Sequence, residues 1–307
     1  MKTARLSLVR HGQSEANVSG RWQGHGDSDL SPLGREQAAA LGERLAKWEL
    51  GRFWSSDLVR AADTARATAD ALGREITFDP QMREIDVGAW EGLTRDEVAQ
   101  KFPHEVAALG GGQLIAIGGG ESWLDLAKRA GFAIAGVLDE LEEGEHGVLF
   151  SHGGFIASYV AAAFGISRDK PRRLGNVANT SVTTIEFSEG RARLVRFNDT
   201  THLAPLGAWG TERLEEHGGT AIALSTDADV DAQSAPPPVE VHALGAGVPN
   251  DPREAVDALV QRHPRQRVAL TMPSAMNLND RADLRVGLSG RRFQTHDKLN
   301  PITIPHH

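Results

Sequence analysis

Short apolar runs alternate with helix-like segments along the first part of the chain, and no other feature constrains its fold as strongly. The strand-like runs lie at residues 5–9, 53–56, 75–78 and 148–150. Apolar residues recur at helical spacing at residues 32–48, 57–72, 121–143 and 153–164. Two alternating runs, at residues 181–187 and 191–197, predict a hairpin. This alternation predicts a three-layer α/β/α fold around a mostly parallel central sheet.

The composition changes after residue 218, which indicates a boundary in the chain. Residues 219–238 are acidic and end in consecutive prolines, a pattern typical of a stiff, solvated linker. Beyond it we expect a strand at residues 239–244, a helix at 251–263, a strand at 267–272 and then a polar tail. The expected organisation is therefore a domain at residues 1–218, a linker at 219–238 and a small β-α-β appendage at 239–307 of open role.

Charge and cysteine content narrow the classes of partner and chemistry. The formal net charge is −8, from 41 acidic and 33 basic side chains, and no run of Lys and Arg suggests a nucleic-acid partner. The absence of cysteine excludes disulfides and thiolate catalysis. No apolar run reaches the ~18 residues of a membrane span, and the first residues turn polar too soon for a signal peptide. We expect a cytoplasmic protein without a membrane partner, and the sequence leaves a homo-oligomer open.

Histidines and arginines stand where the predicted strands end. Arg10-His11-Gly12 closes the first strand, and Ser151-His152-Gly153 follows the strand at 148–150. Arg60 lies near the start of the helix after the second strand, where Asp57 is the expected N-cap. Because the carboxyl ends of parallel strands meet at one edge of a sheet, we expect these side chains to lie close together. Such a cluster predicts an anion-binding site.

Further sequence blocks accompany these motifs. They are Asn17, Arg21-Trp22-Gln23-Gly24, Ser55-Ser56-Asp57, Arg83-Glu84-Ile85-Asp86, Trp90-Glu91-Gly92, Asn179-Thr180-Ser181 and Asn198-Asp199-Thr200. In this order, and with the two histidine motifs, the sequence resembles the histidine phosphatase superfamily, in the branch related to cofactor-dependent phosphoglycerate mutase. The resemblance covers residues 5–203, and implies that the domain at residues 1–218 is the catalytic one.

The resemblance also implies a set of site residues. The catalytic residues are His11, Glu84 and His152. The phosphate-binding residues are Arg10, Asn17, Arg60 and Gly153. A candidate substrate rim comprises Arg21, Gln23, Gly24 and Glu121, although Glu121 can also be interpreted as a helix cap. Asp86 and Glu91 compete with Glu84 for the role of proton donor. The implied partner is a small phosphorylated substrate, and neither a metal nor a cofactor is expected.

These residue types suit phosphoryl transfer to a histidine. A neutral imidazole nitrogen can accept the phosphoryl group, which divides one difficult displacement into two easier ones. His11 then needs a hydrogen-bond acceptor at its other ring nitrogen to fix the tautomer. Arg10 and Arg60 can form forked hydrogen bonds to the phosphate, with His152, if protonated, as a third cation. One carboxylic acid can protonate the leaving oxygen and later deprotonate the attacking water.

The sequence favours hydrolysis over the mutase reaction of the same family. In the mutases a tyrosine follows the catalytic glutamate by three residues, and here that position is Val87. The mutases also carry a longer insertion with further basic residues, whereas residues 94–120, the cover segment, offer only Arg95 and Lys101. The apolar residues of this segment favour a substrate with some nonpolar surface; they are Leu109, Leu114, Ile115 and Ile117. A mutase and a non-catalytic protein that binds a phosphorylated ligand stay open as alternatives.

Overall fold

The computed structural model describes residues 3–165, 177–188, 190–206, 219–225, 239–243, 267–271 and 302–304. Contacts between Cα atoms divide the chain into two units, Met1–Leu194 and Val195–His307. This division lies N-terminal to the boundary expected at residue 218. Within the described parts, no helix is both long and apolar enough to cross a membrane.

Six strands form a mixed sheet, and five of them lie wholly within the first unit. The strands of this sheet are β1 (Ala4–Arg10), β2 (Phe53–Ser55), β3 (Ile76–Phe78), β4 (His146–Ser151), β5 (Val182–Ser188) and β6 (Arg191–Asp199), in the order β3-β2-β4-β1-β5-β6. The strands β1 to β4 are parallel to one another, whereas β5 is antiparallel to β1. The predicted α/β fold with a mostly parallel sheet is confirmed. The two runs of the predicted hairpin form the neighbouring strands β5 and β6.

Helices cover both faces of this sheet. The helices of the first unit are α1 (Glu15–Val18), α2 (Pro32–Leu45), α3 (Val59–Leu72), α4 (Arg95–Lys101), α5 (Pro103–Gly110), α6 (Trp123–Glu140) and α7 (Gly153–Ala163), of which α2, α3, α6 and α7 form the outer layers. On one face Phe53 and Phe150 form a buried core with Leu41 of α2 and Ala65 of α3. Because successive strand residues point to opposite faces, Trp54 points to the other side, where its indole N–H donates to the end of α6. The result is the predicted three-layer arrangement.

The start of α3 differs from the prediction that Asp57 caps it. The first helical amide, that of Val59, donates to Oδ1 of Asp27 at 2.9 Å. Asp57 instead accepts two hydrogen bonds from the guanidinium of Arg83, at 2.7 and 2.5 Å. A forked, charge-assisted pair is stronger than a single bond to a backbone amide, so Arg83 holds this carboxylate and the distant Asp27 takes over the cap.

The cover segment folds into the two short helices α4 and α5 and a 3-10 turn at Ile117–Gly119. Leu114 is 42% exposed, whereas Ile117 is only 1% exposed. Ile117 therefore belongs to the core of the unit and offers no surface to a substrate, unlike the expectation for this part of the cover. Leu114 does add apolar surface to this segment, as does Val106, which is 37% exposed.

The second unit contains a separate sheet of order β10-β9-β7-β8. Its strands are β7 (Gly219–Ser225), β8 (Val239–Ala243), β9 (Arg267–Thr271) and β10 (Ile302–Ile304). β7 is parallel to β8 and β9, and β10 is antiparallel to β9. The two predicted strands are present as β8 and β9, whereas β7 lies in the predicted linker and β10 in the predicted polar tail. Both missed strands carry short apolar patterns: a continuous run, Ala-Ile-Ala-Leu, in β7 and the alternating Ile-Thr-Ile in β10. The predicted helix at residues 251–263 lies outside the described residues.

Candidate active site

The loops that follow β1, β2 and β4 meet at one edge of the first sheet. The amide of His11 donates to the carbonyl of Ser151, and the amide of Ser56 donates to that of Phe150, both at 2.9 Å. His152 directly follows Ser151, and its ring centroid lies 5.2 Å from that of His11. The parallel strands therefore bring together the two histidines that the sequence singled out.

The ring of His11 has a defined tautomer. Its Nδ1 lies 2.7 Å from the carbonyl oxygen of Gly12. A carbonyl oxygen only accepts hydrogen bonds, so Nδ1 must carry the hydrogen and Nε2 keeps its lone pair in the neutral ring. The expected acceptor at the second ring nitrogen is confirmed, and it is a backbone carbonyl of the same loop.

His152 is fully buried and is held from one side only. Its Nε2 lies 2.9 Å from the hydroxyl of Ser56, which also accepts a hydrogen bond from the amide of Leu58. The Nδ1 atom is buried and has no hydrogen-bond partner. A buried ring nitrogen without a partner costs free energy, which an anion bound at this edge would recover.

Burial and neighbouring cations favour the neutral form of both rings. Loss of hydration lowers the pKa of His11 well below the ordinary value of 6.5, and the charges of Arg10 and Arg60 lower it further. Loss of hydration also lowers the pKa of His152 well below that value, followed by the charges of Arg60 and Arg10. Without an anion, His152 is therefore not the third cation that the sequence allowed, and His11 is ready to act as a nucleophile.

This pair predicts a loss of stability in weak acid. Below pH 6.5 the unfolded chain binds protons at His11 and His152 that the folded chain does not bind, so the free energy of unfolding decreases as the pH falls. Each ring contributes a slope that approaches about 1.4 kcal/mol per pH unit as the pH falls below 6.5. Urea unfolding between about pH 6.5 and 5.5 should show a shallower slope for His152→Gln than for the wild type. Parallel slopes would contradict the assignment.

Arg60 is the most deeply buried cation of the site. Its side chain is fully buried, with Nη1 and Nη2 donating to the carbonyls of Gly26 and Gly24 at 2.8 and 2.9 Å. The Nε atom has no partner. Burial lowers the pKa of this guanidinium to about 10, so it keeps its charge at neutral pH. Arg60 is thus a fixed cation with hydrogen-bonding capacity left for an anion.

Arg10 and Gly153 lie against each other beside the histidines. Nη1 of Arg10 donates to the carbonyl of Val177 at 2.6 Å. A Cβ atom added to Gly153 would lie 3.3 Å from Nε of Arg10, so a larger residue would require the arginine to shift by a few tenths of an ångström. Gly153 is the first residue of α7, and the amino end of a helix carries partial positive charge. The structure thus brings both predicted phosphate ligands to the same edge.

Asn17 is oriented by a second asparagine. Its Oδ1 accepts hydrogen bonds from the amide of Ser14 and, at 3.3 Å, from the side chain of Asn179. The Asn179 side chain also donates to the carbonyl of His11 at 3.0 Å. Because the oxygen of Asn17 is occupied in this way, its NH₂ group is the part that can donate to an anion.

Glu84 joins the cluster from the loop after β3. Its two oxygens accept from the amides of Ile85 and Gly154, each at 2.9 Å. Gly154 lies in the first turn of α7 and directly follows His152 and Gly153 in the sequence. Among the carboxylates, Glu84 contributes most to stabilising the charged form of Arg60. This carboxyl group therefore lies within the electrostatic reach of the cation cluster.

The two competing carboxylates hold the backbone elsewhere. Oδ1 of Asp86 accepts from the amide of Gly88 at 2.8 Å. Oε1 of Glu91 accepts from the amides of His25 and Gly26, at 2.6 and 3.1 Å. Glu91 thereby orders the loop whose carbonyls hold Arg60. These contacts favour Glu84 over both competitors as the proton donor.

Three of the rim candidates, Arg21, Gln23 and Gly24, lie in the loop between α1 and α2. Arg21 donates to the carbonyl of Gly92 at 2.6 Å and pairs with Glu97 at 3.4 Å. Oε1 of Gln23 accepts from the hydroxyl of Ser14. Gly24 has a φ of +52°, and its carbonyl serves Arg60. Their role as a substrate rim stays a prediction.

Glu121 lies behind the loop of Glu84. Both of its carboxylate oxygens accept from the guanidinium of Arg129, at 2.8 and 2.7 Å. It does not cap α6, because Ser122 is the N-cap and forms a capping box with Asp125. Its carboxylate is thus engaged with the protein.

A family model described as the histidine phosphatase superfamily (branch 1) matches residues 6–200. The chain belongs to this superfamily. The matched range contains every residue of the cluster described above. The resemblance noted from the sequence is therefore confirmed.

Individual members of the superfamily resemble the chain over most of their own length. Glucosyl-3-phosphoglycerate phosphatase of Mycolicibacterium vanbaalenii is 41% identical over 187 residues, which cover 59% of this chain and 83% of the relative. Probable phosphoglycerate mutase GpmB of Salmonella choleraesuis is 36% identical over 185 residues, covering 60% and 85%. The structure of a mycobacterial glucosyl-3-phosphoglycerate phosphatase complexed with VO3 matches with a TM-score of 0.59 and 36% identity, over 63% of this chain and 98% of that one.

Two residues of the site were given no role from the sequence. Ser56, the partner of His152, stands in a motif that the sequence did point out. Asn179, which links Asn17 to the loop of His11, belongs to a block typical of the family. Within the described ranges, no group of three or more His, Asp or Glu side chains could hold a metal ion.

Proposed function

We propose that the chain is a phosphomonoester hydrolase that acts without a metal ion through a phosphohistidine on His11. The observation that carries this proposal is the hydrogen bond from Nδ1 of His11 to the carbonyl of Gly12. It leaves Nε2 as an available lone pair on a ring whose pKa is lowered by burial and by Arg10 and Arg60. An oriented neutral nucleophile beside fixed cations is what transfer of an anionic phosphoryl group needs.

In the proposed first step, Nε2 of His11 attacks the phosphorus atom. The bond from phosphorus to the leaving oxygen breaks, and this oxygen takes a proton from Glu84. Arg10, Arg60 and Asn17 donate hydrogen bonds to the phosphoryl oxygens, with Nδ1 of His152 as a further donor. The carbonyl of Gly12 stabilises the positive charge that develops on the ring of His11.

In the proposed second step, water attacks the phosphorus atom and the phosphorus–nitrogen bond breaks. Glu84, now ionised, takes the proton of the water, and His11 recovers its lone pair. The ionised carboxylate of Glu84 is stabilised between the two steps because the amides of Ile85 and Gly154 donate to it. Inorganic phosphate then leaves, and the site returns to its first state.

Gly154→Ala is expected to lower kcat for alkyl phosphates by about 10- to 100-fold, since misplacing an acid removes much of its contribution. The added Cβ atom would collide with Oε1 of Glu84 and lie 3.2 Å from the ring of Trp123, so the carboxyl group must move. This loss of kcat should not be accompanied by a comparable loss in the free energy of unfolding, because alanine has a higher helix propensity than glycine.

A matched control is Gly136→Ala in α6, where an added Cβ atom would have no neighbour within 4 Å. Steady-state kinetics and thermal unfolding should show unchanged kcat and equal or higher stability for this control. Equal kcat for wild type and Gly154→Ala would argue against Glu84 as the acid.

The proposed substrate is a small phosphorylated metabolite with some nonpolar surface. Leu114 and Trp123 line a shallow, mostly apolar depression with Ala162 of α7. Trp123 also approaches the position of Glu84, since an added Cβ atom on Gly154 would be near both. The relative named for glucosyl-3-phosphoglycerate makes that compound the first candidate.

Hydrolysis is proposed in preference to the mutase reaction. At the position where the mutases have a tyrosine, Val87 is fully buried and presents no group to a substrate. The similarity to a protein named as a probable phosphoglycerate mutase keeps isomerisation as an outcome to be measured.

The proposal is tested by phosphate release in the presence of EDTA from a panel of substrates. The panel contains 4-nitrophenyl phosphate, glucosyl-3-phosphoglycerate, 3-phosphoglycerate, glycerol phosphate and phosphoserine. Release that survives the chelator, with a clear preference within the panel, supports the proposal and begins to identify the substrate. Isomerisation of 3-phosphoglycerate without phosphate release would favour a mutase. No turnover of any compound, with phosphate still bound, would favour a binding protein.

A further inference from the structure

The guanidinium of Arg129 binds the loop that carries Glu84 at several points. Arg129 of α6 donates from Nη1 to the carbonyls of Gln81 and Arg83, both at 2.8 Å. Its Nη2 donates to the carbonyl of Glu84 at 2.9 Å. Both Nε and Nη2 also donate to Glu121, at 2.8 and 2.7 Å. A guanidinium has five N–H groups, so every one of them has a partner within the protein and none is left for a substrate.

Glu121 binds the same loop on the C-terminal side of Glu84. Its Oε2 accepts from the amide of Asp86 at 2.9 Å, while its own amide donates to the carbonyl of Asp86 at 2.8 Å. Arg129 thus binds the backbone before and at Glu84, and Glu121 binds it two residues later. The two side chains are only 14% and 23% exposed, which protects their ion pair from solvent.

A second donor reaches the same carbonyl from another element. Nε2 of His25 lies 2.9 Å from the carbonyl oxygen of Glu84, and must be the donor because a carbonyl only accepts. The backbone of His25 is in turn fixed by Glu91 at 2.6 Å. The carbonyl of Glu84 is therefore held by two nitrogen donors, from α6 and from the loop after α1.

The hydrogen bonds from Arg129, Glu121 and His25 matter because residues 83–87 belong to no helix or strand. A loop without a regular hydrogen-bond ladder depends on such side-chain contacts to keep its backbone within the tolerance that proton transfer needs. Only a fork with several donors at fixed angles can bind three carbonyls and a carboxylate at once. A lysine offers a point charge with three donors and cannot reproduce this geometry.

We propose that Arg129 and Glu121 are positioning residues for the general acid, which fix the backbone at residues 81–86 so that the carboxyl group of Glu84 meets the leaving oxygen. This inference rests on the proposed function. It places Glu121 behind the acid, where it acts through Arg129 and the backbone, and not at the substrate rim.

The leaving group separates this role from a merely structural one. A 4-nitrophenolate departs as an anion and needs no proton, whereas an alkoxide needs the acid. The constant kcat/KM reports the first step, in which the leaving group departs. A misplaced acid should therefore slow alkyl phosphates selectively, while general damage to the fold should slow both kinds of substrate equally.

The experiment compares kcat/KM for 4-nitrophenyl phosphate with that for the alkyl phosphate of the panel that the wild type hydrolyses fastest. For Arg129→Lys we expect a fall of about 10- to 100-fold with the alkyl phosphate and of less than about threefold with 4-nitrophenyl phosphate. Glu84→Gln should show the same selectivity and sets its upper limit. Arg52→Lys, which alters an exposed pair with Glu142, is the control and should change neither value.

Glu121→Gln provides the second variant, because it keeps the shape and one acceptor while it removes the charge. We expect a selective fall of several-fold with the alkyl phosphate. Equal losses on both substrates in Arg129→Lys and Glu121→Gln, or no loss in either, would overturn the proposal while leaving the proposed function intact. If the wild type hydrolysed no member of the panel, the proposed function would fail and this inference with it.

Discussion

His11→Ala is expected to lower kcat/KM for phosphomonoester hydrolysis by at least about 10⁴-fold, because it removes the atom that forms the covalent intermediate. The neighbouring His152 should not replace it as the nucleophile, since its Nε2 is engaged with the hydroxyl of Ser56 and its Nδ1 has no hydrogen-bond acceptor that would fix the tautomer, as Gly12 does for His11. Steady-state phosphate release with 4-nitrophenyl phosphate measures this effect.

The control is His146, which lies in the same sheet but at the amino end of β4, away from the site. His146 begins β4, contacts Ser7 through Nε2 and stacks on Trp48, far along the strand from His152. His146→Gln should keep the wild-type kcat/KM. A His11→Ala variant that retains a substantial fraction of the activity, with a normal circular dichroism spectrum, would exclude the phosphohistidine route.

Arg60→Lys should lower kcat/KM by about 10²- to 10³-fold, the usual effect of removing one preorganised donor to a transition-state anion. The lysine keeps the charge but cannot donate to the carbonyls of Gly26 and Gly24 and still reach the phosphate. An unsatisfied buried carbonyl also costs about 1–3 kcal/mol of stability. Kinetics and urea unfolding together measure the two effects.

Arg66→Lys is the matched control, because Arg66 lies on the same helix and forms an exposed pair with Asp63 at 2.7 Å. This variant should change kcat/KM and the free energy of unfolding little. If Arg60→Lys lowered stability but left kcat/KM unchanged, Arg60 would be a structural cation and not a phosphate ligand.

The sequence predicted the parts of the site that depend on strand order. Arg10-His11-Gly12 and Ser151-His152-Gly153 close predicted strands, and the rule that parallel strands end at one edge placed them together. The register of β1 with β4, in which Arg10 pairs with Ser151, realises that rule. Local pattern and one topological principle were enough for these residues.

Contacts between distant segments were not predictable in this way. Arg129 stands in a long amphipathic helix, where a single arginine is typical of a solvated face, yet it binds a loop 45 residues away through Glu84. Asp57 fitted the local pattern of an N-cap, but the distant Arg83 competes for it. Which partner wins is decided by tertiary geometry, which no local pattern contains.

The second unit shows the same limit for short strands. β10 has only three residues, and β7 lies in a segment whose acidic and proline-rich composition indicated a linker, although residues 221–224 are all apolar. Pairing of both strands with β9 supplies what the local pattern did not indicate. β8, which begins Val-Glu-Val-His, and β9, which contains Val-Ala-Leu, were predicted.

The most direct test of the central claim is rapid-quench labelling of the wild type with a substrate whose phosphoryl group is radioactive. We expect label bound covalently to the peptide that contains His11, stable in alkali and lost in acid, as a phosphorus–nitrogen bond to histidine requires. The label should be absent from His11→Ala. Turnover with no covalent label at any quench time, or with an acid-stable label on another residue, would contradict the phosphohistidine mechanism.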